Sequence, residues 1–157
     1  MALAMAYTQR VFIATAEACD PEMARRIERH RQERGETFDT IEEPLDLCAA
    51  LRGAPATAEV VLVDCLPVWL GNLTYHERFQ ASDESCTEID DFLGFLRSPP
   101  RDVVLVTGEI GLGIVPADPS TRLYRDRLGR LNRNVAKLAE TVYLVVSGIP
   151  LQLKPAR

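Results

Sequence analysis

The chain has 157 residues, 46% hydrophobic and 26% charged, which fits a single globular domain over 1–157 with a core of ordinary size. A net charge of −5 and an isoelectric point near 5.1 argue against nucleic acid as a partner, while leaving room for a local basic site that takes nucleotide phosphates. Cys19, Cys48, Cys65 and Cys86 are scattered without a C-x-x-C pair, so reduced thiols in a cytoplasmic protein are expected and no metal cage. No stretch reads as a membrane span.

Residues 1–8 are short, apolar and rich in helix formers, and read as a helix entered partway with no cap of its own; without a basic leader they do not read as a secretory signal. Val11–Thr15 is a continuous apolar run, the pattern of a strand buried on both faces. Ala14, Thr15 and Ala16 lie at its carboxyl end, where open α/β sheets bind ligands and where small side chains let a nucleotide approach; an ordinary tight connection is the plainer reading.

Asp20–Arg34 reads as a helix, with Asp20 as N-cap, Pro21 in the first turn, Glu22 at the positive end of the dipole and Gly35 as the stop. Met23, Ile27 and His30 fall on one face, and Arg25, Arg26, Arg29, Arg31 and Arg34 surround the imidazole. Two readings fit. In the chemical one, the positive surroundings keep His30 neutral and nucleophilic while the arginines hold an incoming polyphosphate. In the structural one, His30 is a half-buried helix-end residue and the arginines form a solvated face paired with Glu22, Glu28 and Glu33.

Residues 37–43 suit a short strand, and a helix opens at Pro44 and closes at Gly53–Pro55. Glu59–Asp64 is the second clear strand, four apolar residues ending in a carboxylate. In nucleotide enzymes that pattern places an Asp where it holds Mg²⁺ beside the phosphates, although many parallel strands end in Asp for other reasons. Residues 66–79 carry Leu66, Trp69, Leu70 and Leu73 at helical spacing, residues 81–88 read as a loop, and Ile89, Phe92, Leu93 and Leu96 mark another helix.

Asp102–Thr107 is the third apolar strand. It runs into Gly108, Gly111 and Gly113, whose density implies unusual φ values or close backbone approach, at spacings of neither a dinucleotide nor a P-loop motif. Asp118 and Pro119 start a long helix with Tyr124, Leu128, Leu131, Val135 and Leu138 buried. Arg122, Asp126 and Arg130 are spaced for a salt-bridged outer face, and Gly129 hints that something packs closely against the helix. Residues 141–147 form a fourth strand, turning at Gly148 and Pro150 into a short edge over 151–154. Strands alternating with helices give an α/β fold with a parallel, doubly wound sheet, Asp64 and Thr107–Glu109 ending on the same edge.

Several longer stretches, in order, resemble one family. They are Ile13-Ala-Thr-Ala-Glu17, Glu22 to Arg31 with His30, Glu42-Glu-Pro-Leu45, Val63-Asp-Cys-Leu66 with Trp69 and Asn72, Glu109 to Pro116, Tyr124 to Asn132, and Val146-Ser-Gly-Ile-Pro150. The sequence resembles the bifunctional adenosylcobinamide kinase/adenosylcobinamide-phosphate guanylyltransferase family of cobalamin biosynthesis, almost from end to end. The resemblance implies a RecA-like P-loop-type three-layer fold with a mainly parallel sheet, a cytoplasmic homotrimer, phosphorylation of adenosylcobinamide, and transfer of GMP from GTP onto the phosphate, with Mg²⁺ accompanying GTP or ATP. Carried over by position, it implies His30 as the guanylylated histidine. Nucleotide contacts fall at Ala14, Thr15, Ala16, Arg31, Gln32, Glu33, Arg34, Glu42 and Asp64, with Asp64 also on the metal.

One departure is large. Family members open on a strand and a Gly-Gly-x-Arg-Ser-Gly-Lys-Ser loop, and this sequence has no matching stretch, so the first strand and Walker A loop are missing. Its lysines, Lys137 and Lys154, follow no glycine loop. The kinase step and GTP affinity are expected to suffer. Gly108 stands where the family usually has Asn. The alternative to an active guanylyltransferase is an impaired or non-catalytic remnant or fragment that serves as a binding or oligomerisation partner.

Overall fold

The computed structural model describes residues 2–79 and 83–155. Four parallel strands form the central sheet: β1 (Arg10–Ala14), β2 (Asp39–Glu42), β3 (Val60–Asp64) and β4 (Asp102–Val106), in the order β2-β1-β3-β4. The chain steps outward from β1 to β2 and then returns past β1 to lay down β3. Right-handed crossovers in opposite directions fall on opposite faces of the sheet, so this reversal makes the fold doubly wound, with its switch point between β1 and β3.

The burial pattern follows. Val11, Ile13, Val61 and Val63 point to one face, where α2 (Leu47–Gly53), α3 (Leu66–Tyr75), α4 (Thr87–Phe95) and α5 (Pro119–Leu138) pack over them, with Trp69 and Phe92 fully buried edge to face. Phe12, Val60 and Leu62 point to the other face, beneath Phe38 and Ala4 of the 3-10 segment Ala2–Ala6. Arg34, at the end of α1 (Pro21–Arg34), stacks its guanidinium 4.1 Å from the Phe12 ring on that face.

Helix ends follow the capping residues. The Asp20 carboxylate accepts from Met23 N at 2.7 Å, and Gly35 ends α1 with φ of 54°. Asp118 likewise caps α5 through Thr121 N. The second helix begins at Leu47 rather than at Pro44. Glu43 folds its carboxylate onto the Leu45 and Asp46 amides, making a turn of that segment, and Asp46 is the cap that starts the helix. The third ends at Tyr75, short of Phe79, because Glu77 adopts a left-handed φ of 54°. Within the expected 81–88 loop, Thr87 and Glu88 are helical, and Ala81 and Ser82 lie outside the described residues.

The C-terminal strand departs from expectation. β5 (Val142–Val146) pairs antiparallel with β6 (Ile149–Lys154) in a separate two-stranded sheet and is hydrogen-bonded to none of the parallel strands. Ser147 and Gly148 both have positive φ, 51° and 78°, the geometry of a two-residue turn whose twist matches a hairpin. Val145, Val146, Ile149 and Leu151 are exposed.

Candidate active site at the carboxyl edge of the sheet

The register of the sheet puts three of the singled-out residues in one row. Ala14 is the Cα partner of Glu42 on one side and of Asp64 on the other, so the last rung reads Glu42, Ala14, Asp64, with Val106 beyond. Cα partners in parallel strands share a face. Ala14 and Val106 pack with Phe12, so the two carboxylates face the side that carries Arg34. Ala14 is the one residue between them in this rung, and their Cα atoms are about 10 Å apart at two strand spacings.

Helix α1 brings cations to this row. Arg31 forms a charge-assisted hydrogen bond to Glu42 and also reaches Glu28 at 3.2 Å; its bond to Glu42 raises the guanidinium above its ordinary range. Arg34 is buried, with Asp64 and Glu42 as the nearest influential carboxylates. Burial, and then the Arg31 charge, lower the Arg34 guanidinium below its ordinary range, and its Nε has no partner among the described residues. Arg26, His30 and Arg34 recur every four residues and so share one face of the helix. His30 is half-buried, with no hydrogen bond among the described residues. Gln32 and Glu33 are exposed and bond back to their own helix, Gln32 to Glu28 at 2.9 Å and Glu33 to Arg29 at 3.9 Å.

Two asparagines that the sequence reading left without a role hold the loops in place. Asn72 of α3 donates to the Thr15 carbonyl at 2.6 Å and to the Pro44 carbonyl at 3.1 Å, tying the exits of β1 and β2 together. The buried Thr15 hydroxyl donates to the Cys65 carbonyl and accepts from the Cys65 amide, and Thr15 N donates to Asp64 O, which joins β3 to the same cluster. Beside β4, Asn132 of α5 accepts from the Thr107 hydroxyl at 2.6 Å and donates to Gly108 O at 2.9 Å. Each asparagine flanks an apolar stripe facing the sheet, Trp69–Leu73 and Leu128–Leu131. A polar residue so close to a core face is the signal that could have singled them out.

The glycine-rich loop is less strained than its composition implies. None of Gly108, Gly111 and Gly113 has a positive φ, and only Gly111 meets a close neighbour: a Cβ there would lie 2.7 Å from the Glu109 carboxylate, which accepts from Gly111 N. Ile110, Leu112, Ile114 and Val115 of this loop are exposed. The outer face of α5 is not salt-bridged by i,i+4 pairs as its spacing implied. Arg122 donates to the carbonyls of Pro116 and Ala117, and Arg130 is bound to Glu84.

A doubly wound parallel sheet whose switch-point crevice is lined by a strand-end carboxylate and helix-borne arginines is consistent with an α/β protein of P-loop type. The chain belongs to the family described as cobinamide kinase/cobinamide phosphate guanyltransferase, whose family model matches residues 1–153. It is 41% identical over 143 residues to the bifunctional adenosylcobalamin biosynthesis protein CobP of Pseudomonas aeruginosa, covering 91% of this chain and 81% of the relative. To the bifunctional adenosylcobalamin biosynthesis protein CobU it is 37% identical in Escherichia coli K12, covering 94% of this chain and 87% of the relative. To that of Salmonella typhimurium it is 35% identical, with 93% and 86% covered. Among the described residues no helix is long and apolar enough to cross a membrane.

Proposed function

We propose that this protein transfers GMP from GTP to cobinamide phosphate, adenosylcobinamide phosphate by the family resemblance, through a guanylylated His30. The observation that carries the reading is the row Glu42, Ala14, Asp64 at the switch point, approached by Arg31 and Arg34 of the helix that also bears His30. In the first step the unprotonated ring nitrogen of His30 attacks the α-phosphorus of GTP. A P–N bond forms, the bond from the α-phosphorus to the bridging oxygen breaks, and pyrophosphate leaves with that electron pair. In the second step a phosphate oxygen of the acceptor attacks the same phosphorus. The P–N bond breaks, the imidazole is regenerated and a P–O–P linkage is formed.

Arg26, Arg31 and Arg34 spread the negative charge that builds on the α-phosphate and the departing pyrophosphate. Arg31 does so by exchanging Glu42 for the nucleotide, and Arg34 by its free Nε. Ala14, Thr15 and Ala16 let the nucleotide lie against the backbone, and Gln32 and Glu33 stand at the outer rim. Mg²⁺ fits the donor set. Among the described residues no group of three or more His, Cys, Asp or Glu forms a protein cage, and one half-buried carboxylate, Asp64, at the crevice suits an ion that takes its other oxygens from phosphates and water. When bound there it would neutralise phosphate charge.

The reading makes the protein cytoplasmic and homotrimeric by family resemblance, with GTP or ATP as nucleotide. The test is incubation with α-labelled GTP and Mg²⁺. An acid-labile, alkali-stable label on the protein that disappears in His30→Ala supports the role given to His30, and a label that survives the substitution removes it. Calorimetry with GTP and Mg²⁺ separates this reading from a non-catalytic remnant, which predicts no saturable heat.

A further inference from the structure

The close packing expected over Gly129 of α5 is absent, since a Cβ built there meets no atom within 4 Å. The helix that does close on a neighbouring segment is α3, which reaches the connection between β1 and α1 twice. Asn72 donates to the Thr15 carbonyl at 2.6 Å, and four residues on, one turn further along the same face, His76 places its Nε2 2.8 Å from the Glu17 carboxylate. His76 is the C-cap of α3, where its backbone N–H donates to Asn72 O at 2.8 Å, so the turn that carries Asn72 also fixes His76. An ionised carboxylate only accepts, so Nε2 is a nitrogen that carries a proton. The Tyr75 ring stands edge-on to the imidazole, with ring centroids 5.3 Å apart.

Helix α1 has little else to set where it begins. Arg34, in its last turn, is its one buried residue, and Met23 and Ile27 are half-buried and belong to neither hydrophobic cluster. Asp20 caps the helix from within, and Cys19 N turns back on Glu17 O. Among the described residues, Glu17 is therefore the last point before α1 that is hydrogen-bonded to another element. The His76 and Glu17 side chains are 35% and 36% exposed, and a pair so open to water adds little to stability. What it fixes is geometry.

We infer that His76 is a positioning residue for His30: by holding Glu17 it sets the start of α1, and with it the approach of the imidazole to the α-phosphorus, a role that rests on the guanylyl-transfer reading of that site. The helix is held at both ends, by Arg34 on Phe12 at one and by Glu17 on His76 at the other, with His30 between them. His30 lies four residues from Arg34, about 6 Å along the axis, so a tilt of about 10° about Arg34 moves it by about 1 Å. A misplacement of that size costs a reaction up to about a hundred-fold. Arg31 and Arg34 lie at the anchored end, bound to Glu42 and stacked on Phe12, so the cations that face the nucleotide stay in place when the other end is released.

The experiment follows the full chain at saturating α-labelled GTP and Mg²⁺ and reads the rate at which label appears on the protein, with GTP affinity from calorimetry and the urea midpoint measured beside it. It compares the unaltered protein, His76→Ala, Glu17→Ala, the two combined, and His76→Gln, in which an amide N–H at about the reach of Nε2 is offered to the same carboxylate. The expected result is labelling about ten-fold slower in each alanine variant and no slower in the combined one, with GTP affinity changed by less than about two-fold and the midpoint unmoved. His76→Gln restores the rate to within about three-fold. Full-rate labelling in His76→Ala, a combined variant slowed by the product of the two single effects, or a His76→Gln protein as slow as His76→Ala would overturn the assignment. Amide hydrogen exchange over residues 18–24 is read in the same variants and is expected to quicken in the alanine variants alone. If the unaltered protein takes no label the transfer reading falls, while exchange unchanged in His76→Ala would show that the contact does not set the start of α1.

Discussion

The Asn72 side-chain nitrogen lies 2.6 Å from the Thr15 carbonyl oxygen, and through this contact a helix on one face of the sheet sets the loop that opens the crevice on the other. The same nitrogen also holds Pro44 O, so one amide group fixes the spacing of two strand exits. Asn72→Asp keeps the shape and removes the donor, leaving two carbonyls unpaired beside a carboxylate. The expected cost is about 1–3 kcal/mol of stability, read from the urea midpoint, with a parallel loss of GTP affinity. A variant that loses stability but keeps full GTP affinity would show that the tie does not position the site.

Arg31 and Glu42 form an ion pair whose side chains are 53% and 54% exposed. Such pairs add little to stability, so Arg31→Ala is expected to leave the denaturation midpoint unmoved. GTP affinity should fall in the same variant, and its residual salt dependence should be shallower, which calorimetry at two ionic strengths checks.

Arg34 separates packing from charge. Its guanidinium stacks on Phe12, so Arg34→Ala is expected to lose about 1–3 kcal/mol through the emptied space and the missing cation–π contact. Arg34→Met refills that space with an apolar chain, restoring most of the midpoint but none of the GTP affinity. Full nucleotide binding by Arg34→Met would contradict the role given to the buried charge.

Burial pushes the Cys86 thiol up to about 11, against about 8.5 for a free thiol. Because the folded state holds its proton more tightly, this contribution to stability is intact below about pH 8.5 and is lost as pH rises through about 11. Urea midpoints measured from pH 8 to 11 should fall, and less steeply in Cys86→Ala. Cys65 and Tyr124, also raised chiefly by burial, keep part of the slope.

Much of this arrangement was legible in the sequence because it is local. Asp20, Asp118 and Gly35 mark helix ends by chemistry that acts within one turn, and the apolar runs of β1, β3 and β4 read as strands of a parallel sheet, of which β1 and β3 are buried. What was not legible depends on distant partners. The run Val142–Val146 looks as buried as the others, but its pairing is decided by the turn at Ser147–Gly148, which closes it on β6. Glycine density after β4 signalled strain that no φ there shows, since glycine permits a conformation without enforcing it. The alignment of Glu42 with Asp64 across Ala14 is a property of register, and register appears only once the strands are laid side by side.

The most direct measurement of the central claim is a pulse and chase. The protein is loaded with α-labelled GTP, freed of nucleotide, and given cobinamide phosphate alone. If His30 carries GMP between the two substrates, the label leaves the protein and appears in the guanylylated acceptor in equal amount, with no further GTP required. A label that stays on the protein, or an acceptor labelled only while GTP is present, would contradict a histidine-borne intermediate.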